Sequence, residues 1–184
     1  MNPWHDVSFG EEAPEEVNAI IEVPKNSTLK YELDKDSGLI KLDRVLYSAV
    51  HYPGDYGFIP QTYFDDDDPM DILILSNFPV HPGILVRVRP IGVLRIVDND
   101  ENDDKIIAVH ATDPRFERYR DISDMPEHVA LEIKHFFETY KTLQNKEVKV
   151  LDLKGGSVAR KLIKESIEKY KEKFSKDNNT NTKN

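Results

Sequence analysis

The chain contains no cysteine among its 184 residues, which excludes disulfides, thiolate nucleophiles and cysteine-bound zinc. No apolar run approaches the ~20 residues that a membrane span needs. The six histidines never fall in an HExxH or HxxxH arrangement, which argues against a histidine zinc site. The GxxxxGK[ST] phosphate loop is missing too; Gly155-Gly156-Ser157 reads as a plain helix start with Ser157 as its N-cap. Basic side chains are in short supply, 25 against 34 acidic ones, for a net charge of −9 and a pI near 5.2. That balance disfavours a broad grip on nucleic acid or on an anionic membrane. The first residues, MNPWHDVSFGEE, lack a basic-then-apolar targeting pattern. The expectation is a soluble, cytoplasmic protein with neither nucleic acid nor membrane as partner.

What is present argues for a folded domain. Charged residues make up 32%, above the roughly 25% of a typical domain, so the surface must be strongly ionic. Eight Phe, eight Tyr and one Trp argue against disorder. The length fits one domain over residues 1–174, followed by a polar, apolar-free tail over 175–184 that is expected to be mobile.

Residues 1–16 read as an irregular lead-in. Ala19–Val23, Leu29–Leu33 and Leu39–Leu42 read as strands, and Asp36-Ser-Gly38 as a turn between the last two. Ile72-Leu-Ile-Leu75 is a buried strand by its unbroken apolar character. Residues 84–97 form a long strand interrupted by Pro90 and Gly92, where a bulge or bend is expected. Lys105–His110 is another strand. The period then changes: Val129, Ile133, Phe136, Phe137 and Tyr140 recur at helical spacing from Pro126 to Leu143. A strand from Glu147 to Leu153 and a helix from Ser157 to Phe174 follow. The pattern is α+β, with many short strands and one kinked long strand pointing to a small closed or partly closed barrel.

Chemistry concentrates in Asp65-Asp-Asp-Asp-Pro-Met-Asp71, five carboxylates in seven residues. Such a run repels itself unless cations neutralise it, and all-oxygen clusters suit hard divalent ions such as Mg²⁺, Mn²⁺ or Ca²⁺. In an extended segment Asp66 and Asp68 share a face, and Pro69 can turn Asp71 back towards them. The strand after the run would anchor it. Asp98-Asn-Asp-Glu-Asn-Asp-Asp104 is a second cluster, which read alone is a solvated loop. Neither register fits an EF-hand. Cationic and phenolic groups stand near strand ends: Lys30, Arg44, Lys105, the Tyr140-Lys141 pair, and Tyr52 and Tyr56 around a turn in YPGDYGF. Phosphoryl chemistry needs such donors beside metals. Taken singly, each is a surface charge or a half-buried ring.

These residues resemble the soluble family I inorganic pyrophosphatases. Asp66-Asp-Asp-Pro-Met-Asp-Ile72 matches their D-x-D-P-x-D signature. Glu22-Val-Pro, Lys30-Tyr-Glu32, Asp43-Arg44, Tyr52-Pro-Gly-Asp-Tyr-Gly57, Arg89-Pro-Ile-Gly-Val93 and His135-Phe-Phe-Glu-Thr-Tyr-Lys141 look like family segments in family order. The likeness spans roughly residues 17–172 of what length already marks as one domain. It implies a five-stranded, OB-like β-barrel with flanking helices, two main α-helices in the C-terminal third, and Mg²⁺-dependent hydrolysis of pyrophosphate to two phosphates. It also implies that several Mg²⁺ ions take part, with Mn²⁺ a possible substitute. By that resemblance Asp66, Asp71 and Asp103 hold two activating metals, and Asp98 with Asp103 a substrate-borne one. Asp68 is the base for the attacking water, and Glu22 and Glu32 are outer ligands acting through water. Lys30, Arg44, Tyr56, Lys105, Tyr140 and Lys141 bind phosphate, while Tyr52 supports the carboxylates by hydrogen bonding. The resemblance further implies a homo-oligomer, a hexamer by length. One departure is Asn99, where many bacterial members carry Glu. Two other readings, a non-catalytic calcium module and an OB-type oligonucleotide binder, fit less well; the second predicts aromatics beside a basic groove, whereas the tyrosines here are interleaved with carboxylates.

Overall fold

A computed structural model describes residues 1–98 and 101–174. The Asn99 departure and the 175–184 tail lie outside the described residues. The chain opens on one helical turn, α1 (Pro3–Asp6), where its polar composition predicts irregular structure. Asn2 caps this turn by accepting the Trp4 amide at 3.0 Å, and Pro3 suits its first position because no amide is needed there.

Strand β1 (Val17–Val23) follows, then a separate two-stranded hairpin of β2 (Leu29–Leu33) and β3 (Ile40–Val45). Strand β4 (Asp55–Phe58) lies within a segment whose Pro-Gly sequence reads as a turn. All four of its residues are buried, and Gly57 is needed because a Cβ there would collide with the Ile20 carbonyl of β1. Next come β5 (Asp71–Leu75), β6 (Leu85–Asp98), the short β7 (Glu101–Asn102) and β8 (Lys105–His110).

The long strand bends where expected. Its register against β8 shifts between Pro90 and Gly92. Gly92 has no room for a side chain: a Cβ would lie 2.8 Å from the Lys154 carbonyl oxygen. The bend lets β6 pair with β1 through residues 85–88 and with β9 (Val148–Gly155) through residues 92–98. Strand β1 pairs with β4, β4 with β5, β8 with β6, and β6 with β1, all antiparallel, while β5 and β8 run parallel. Five strands thus close into a ring, and β7 and β9 extend the sheet from β6.

Two main helices cover this mixed sheet, α2 (Glu127–Thr139) and α3 (Gly156–Phe174). Helix α2 stops four residues earlier than its apolar period predicts. A 3₁₀ turn (Thr142–Gln144) takes over, ended by Asn145 in the left-handed region at φ 56°. Helix α3 begins at Gly156, so Ser157 is inside it and is not its cap. The Gly156 amide instead donates to Asp121 Oδ2 at 2.8 Å, a partner 35 positions away.

The apolar run of β5 is unbroken because both of its faces are covered. Leu73 and Leu75 pack in one apolar cluster with Phe136 and Phe137 of α2, and Ile72 and Ile74 in another with Ile163 and Ile167 of α3. Ile106 and Ile107 of β8 divide in the same way, as expected for a parallel strand pair buried on both sides. A third cluster holds Trp4, Ile20, Leu33 and Phe58 beside Tyr170 and Phe174.

The topology also sets where polar groups meet. Asp71 opens β5 and Lys105 opens β8, and these strands are parallel; β6 runs antiparallel to β8 and ends on Asp98. All three therefore arrive at one end of the ring.

Candidate active site

That end of the ring forms a cavity of about 570 Å³. Strand β1 contributes Glu22, β2 contributes Lys30 and Glu32, and β4 contributes Tyr56. Asp66 and Asp68 come from the loop before β5, with Asp71 at its first residue. Asp98, Asp103 and Lys105 enter from the β6–β8 side, Tyr140 and Lys141 from beyond α2. The cavity thus gathers twelve of the fourteen residues singled out by the sequence.

Two do not line it. Arg44 is paired with Lys30 across the hairpin and bonds Asp43. Tyr52 is 2% exposed, with its ring 4.7 Å from that of Phe136; burial first, then the nearby Tyr140, raises its phenol well above the usual value.

The acidic run is a tight turn here and not the extended segment that spacing suggests. Asp67 adopts φ 63°, the Phe64 amide donates to the Asp68 carbonyl at 2.9 Å, and the Asp68 amide donates to Asp66 Oδ1 at 3.2 Å. Local side-chain-to-backbone bonds of this kind compete with strand pairing. Asp66 and Asp68 still face the cavity, brought there by the turn.

Carboxylates and ammonium groups interleave. Lys105, 3% exposed, bonds both Asp71 and Asp103, and Tyr56 donates its phenol proton to Asp71 Oδ2 at 2.6 Å. Lys141 bonds Asp98, and Lys35 bonds Asp68. Lys30 lies 2.8 Å from Glu32 and 3.2 Å from Asp43. Lys35 and Lys41 also line the cavity. The sequence reading missed both, since their lone charges sit among ordinary hairpin residues; only the fold brings them to the aspartates.

The charges do not balance. Nine carboxylates line the cavity against five lysines, four negative charges in excess if all are ionised. Protons absorb part of that excess. Burial, then Asp71, lifts the Glu22 carboxyl to about 8; burial, then Asp71 and Asp103, lifts Asp66 to about 6. Asp71 is raised as well, by burial, with Lys105 opposing. Burial alone would lower Lys105, but Asp71 and Asp103 outweigh it and hold its ammonium well above the usual range. Lys141 goes the other way, because burial outweighs its pairing with Asp98.

This donor set fits hard divalent cations. The groups are oxygens, they are over-charged, and Asp98 Oδ1 is buried with no hydrogen-bond partner among the described residues. No ready-made cage of three or more ligands occurs among the described residues, since Lys105 stands between Asp71 and Asp103. Cation binding therefore has to compete with that ammonium.

Residues 19–171 match the family model described as inorganic pyrophosphatase. The chain belongs to the family I inorganic pyrophosphatases. Among curated members of the family, soluble inorganic pyrophosphatase 2 of Chlamydomonas reinhardtii is 49% identical over 173 residues, covering 94% of this chain and 90% of that protein. The soluble inorganic pyrophosphatase of Zea mays is 50% identical over 169 residues, covering 92% and 79%. The crystal structure of the inorganic pyrophosphatase from Thermus thermophilus superposes with a TM-score of 0.90 at 47% identity, covering 93% of this chain and 99% of that one. The family's D-x-D-P-x-D signature thus runs here from the turn before β5 to the first residue of that strand, and its three aspartates line the cavity.

Proposed function

We propose that this protein hydrolyses inorganic pyrophosphate to two phosphates with the aid of divalent cations, Mg²⁺ foremost and Mn²⁺ as a possible substitute. The observation that carries the reading is the convergence of the carboxylates, lysines and tyrosines of six separate chain segments on one cavity. Family membership supports it. We read the ring of five strands as an OB-like barrel that serves as a rigid frame for those segments, within one domain over residues 1–174.

Asp66, Asp71 and Asp103 would hold two activating cations, Asp98 with Asp103 a third carried by the substrate, and Glu22 and Glu32 would act through water. Bound there, such cations supply positive charge that neutralises phosphate oxygens and acidifies the attacking water. Everything else falls to the chain. Asp68, on the left-handed turn, accepts the proton of that water as its oxygen bonds to phosphorus. The phosphorus–bridging-oxygen bond breaks in the same displacement, and its electron pair leaves with the second phosphate. Lys30, Lys105 and Lys141 line the cavity and neutralise the non-bridging oxygens, which carry the transition-state charge in phosphoryl transfer; Arg44, bonded to Asp43 outside the cavity, would join them by turning in from the hairpin. Tyr56 and Tyr140 donate without adding charge, which eases product release. Both phenols are pushed up by burial, foremost, so they remain donors at neutral pH. Tyr52, which makes no hydrogen bond to a carboxylate among the described residues, supports this array through the packing of its ring on Tyr56 and Phe136.

We further propose that the protein works in the cytoplasm as a homo-oligomer, with a hexamer favoured. Leu39, Leu42, Val45 and Tyr47 are each more than half exposed on and beside the β2–β3 hairpin, an apolar face that a second copy would cover. Among the described residues no helix is long and apolar enough to cross a membrane. The decisive assay is phosphate release from pyrophosphate with Mg²⁺, with ATP as the control substrate and chelator added last. Release that needs Mg²⁺ and spares ATP is expected; equal release from both substrates, or release unaffected by chelator, would overturn the reading.

A further inference from the structure

The N-terminal turn makes contacts that the proposed chemistry leaves unexplained. Trp4 is 4% exposed, and its indole Nε1 donates to the Thr62 carbonyl at 2.8 Å. Its own carbonyl accepts the Gln61 amide at 2.8 Å. Gln61 adopts φ 52°, a left-handed conformation unfavourable for a residue with a side chain, so its neighbours must hold it. They do: the Gln61 side chain also donates to the His5 carbonyl at 2.9 Å. Thr62 then passes the constraint on, its hydroxyl accepting the Met70 amide at 2.8 Å. Residues 61 and 70 bracket the loop that carries Asp66 and Asp68.

The same turn reaches the loop from a second side. Asn2 Nδ2 donates to the Lys35 carbonyl at 2.9 Å, and the Lys35 ammonium lies 5.5 Å from the centroid of the Trp4 ring. That ammonium bonds the Asp68 carboxylate and donates to the Asp67 carbonyl at 3.1 Å. The side chains of Lys35 and Asp68 are each 47% exposed. An ion pair so wetted contributes little by itself and does not fix either partner. A ring face attracts and orients a cation, and the backbone bond from Asn2 fixes where the lysine starts.

We propose that the turn Asn2–Asp6 is a positioning element for hydrolysis, in which Trp4 pins the Asp66–Asp68 loop through Thr62 and steadies Lys35 against Asp68. Trp4 and Lys35 are positioning residues: Trp4 lies outside the cavity, Lys35 at its lining has its ammonium committed to Asp68 and the Asp67 carbonyl, and both act through the acidic loop. The inference rests on the reading of Asp68 as the base that takes the proton of water. It assigns a task to the part of the chain whose sequence reads as an irregular lead-in.

The test uses Trp4→Phe, which keeps an aromatic ring and removes the indole N–H, together with Lys35→Met and the double variant. Amide hydrogen exchange is followed on the metal-free protein, so the first readout is independent of activity. In Trp4→Phe the amides of Gln61, Phe64 and Met70 should exchange about tenfold faster while those of β5 and β8 keep their rates, a local opening. Turnover of pyrophosphate with Mg²⁺ should fall several-fold, with a smaller change in KM. The double variant should lose less than the product of the two single losses, because both residues act through one loop. Uniform acceleration of exchange across the sheet, with turnover per folded molecule unchanged, would mark Trp4 as ordinary core and overturn the proposal. So would losses that multiply. If the unaltered protein releases no phosphate, the activity reading fails, and the exchange pattern alone decides whether the turn clamps the loop.

Discussion

Glu22 is 7% exposed in β1, and its carboxyl is pushed from an ordinary 4.5 to about 8 by burial and then by Asp71. In the metal-free protein it is therefore neutral at pH 7, whereas in the unfolded chain it is ionised. Between pH 4.5 and 8 the native state binds one more proton than the unfolded state, so stability falls as pH rises through that window. It is complete below pH 4.5 and lost by about 8. Each unit is worth about 1.36 kcal/mol, so by pH 7 the penalty is about 3 kcal/mol, and at pH 5 it is under about 1 kcal/mol. Glu22→Gln removes the titration yet keeps an oxygen able to accept the Leu33 amide, now bonded at 2.7 Å. Urea unfolding of both metal-free proteins at pH 5, 6, 7 and 8 measures the difference. The variant should be the more stable, by about 3 kcal/mol at pH 7, and the gap should widen with pH. A gap that stays constant from pH 5 to 8, or a less stable variant at pH 7, would refute the assignment of a buried, protonated Glu22. A native protein that tolerates such a group is consistent with stability given up at a functional site.

Two further substitutions separate the cavity from its frame. Lys105→Met leaves Asp71 and Asp103 without their shared ammonium; it should destabilise the metal-free protein by about 3 kcal/mol, the lower end for a broken buried pair, because the two carboxylates keep 24% and 18% exposure. The loss is read by urea unfolding at pH 7, where Lys105 is held well above its ordinary 10.5 and is charged. Asp121→Ala removes the carboxylate that receives the Gly156 amide at the start of α3. Thermal unfolding should show a loss of about 1–2 kcal/mol, the value of a helix cap, with turnover of pyrophosphate unchanged.

Much of the frame was legible because its signals are local. The apolar run of β5, the Pro90–Gly92 bend of β6 and the helical period of α2 each reflect a constraint carried by a few adjacent residues. So does the acidic run, whose carboxylates need cations wherever the chain puts them. Other features depend on distant partners. Strand β4 is four residues long, and only the approach of the Ile20 carbonyl explains its glycine. Trp4 is buried because Ile20, Leu33 and Phe58 receive it, and no pattern in MNPWHD shows that. The start of α3 is set by Asp121, not by Ser157 beside it. Spacing along an extended segment predicts Asp66 and Asp68 on one face, whereas a left-handed turn at Asp67 brings them to the cavity. Lys35 carries no motif at all, and its pairing with Asp68 comes from the fold.

The central claim is that the carboxylates at one end of the ring turn over pyrophosphate with Asp68 as the base. Its most direct test compares phosphate release by the unaltered protein and by Asp68→Asn in Mg²⁺, with Mg²⁺ binding measured on both by calorimetry. A loss of turnover of about 10²- to 10⁴-fold, the usual worth of a general base, is expected while the variant still binds Mg²⁺. Near-normal turnover by Asp68→Asn would contradict the account.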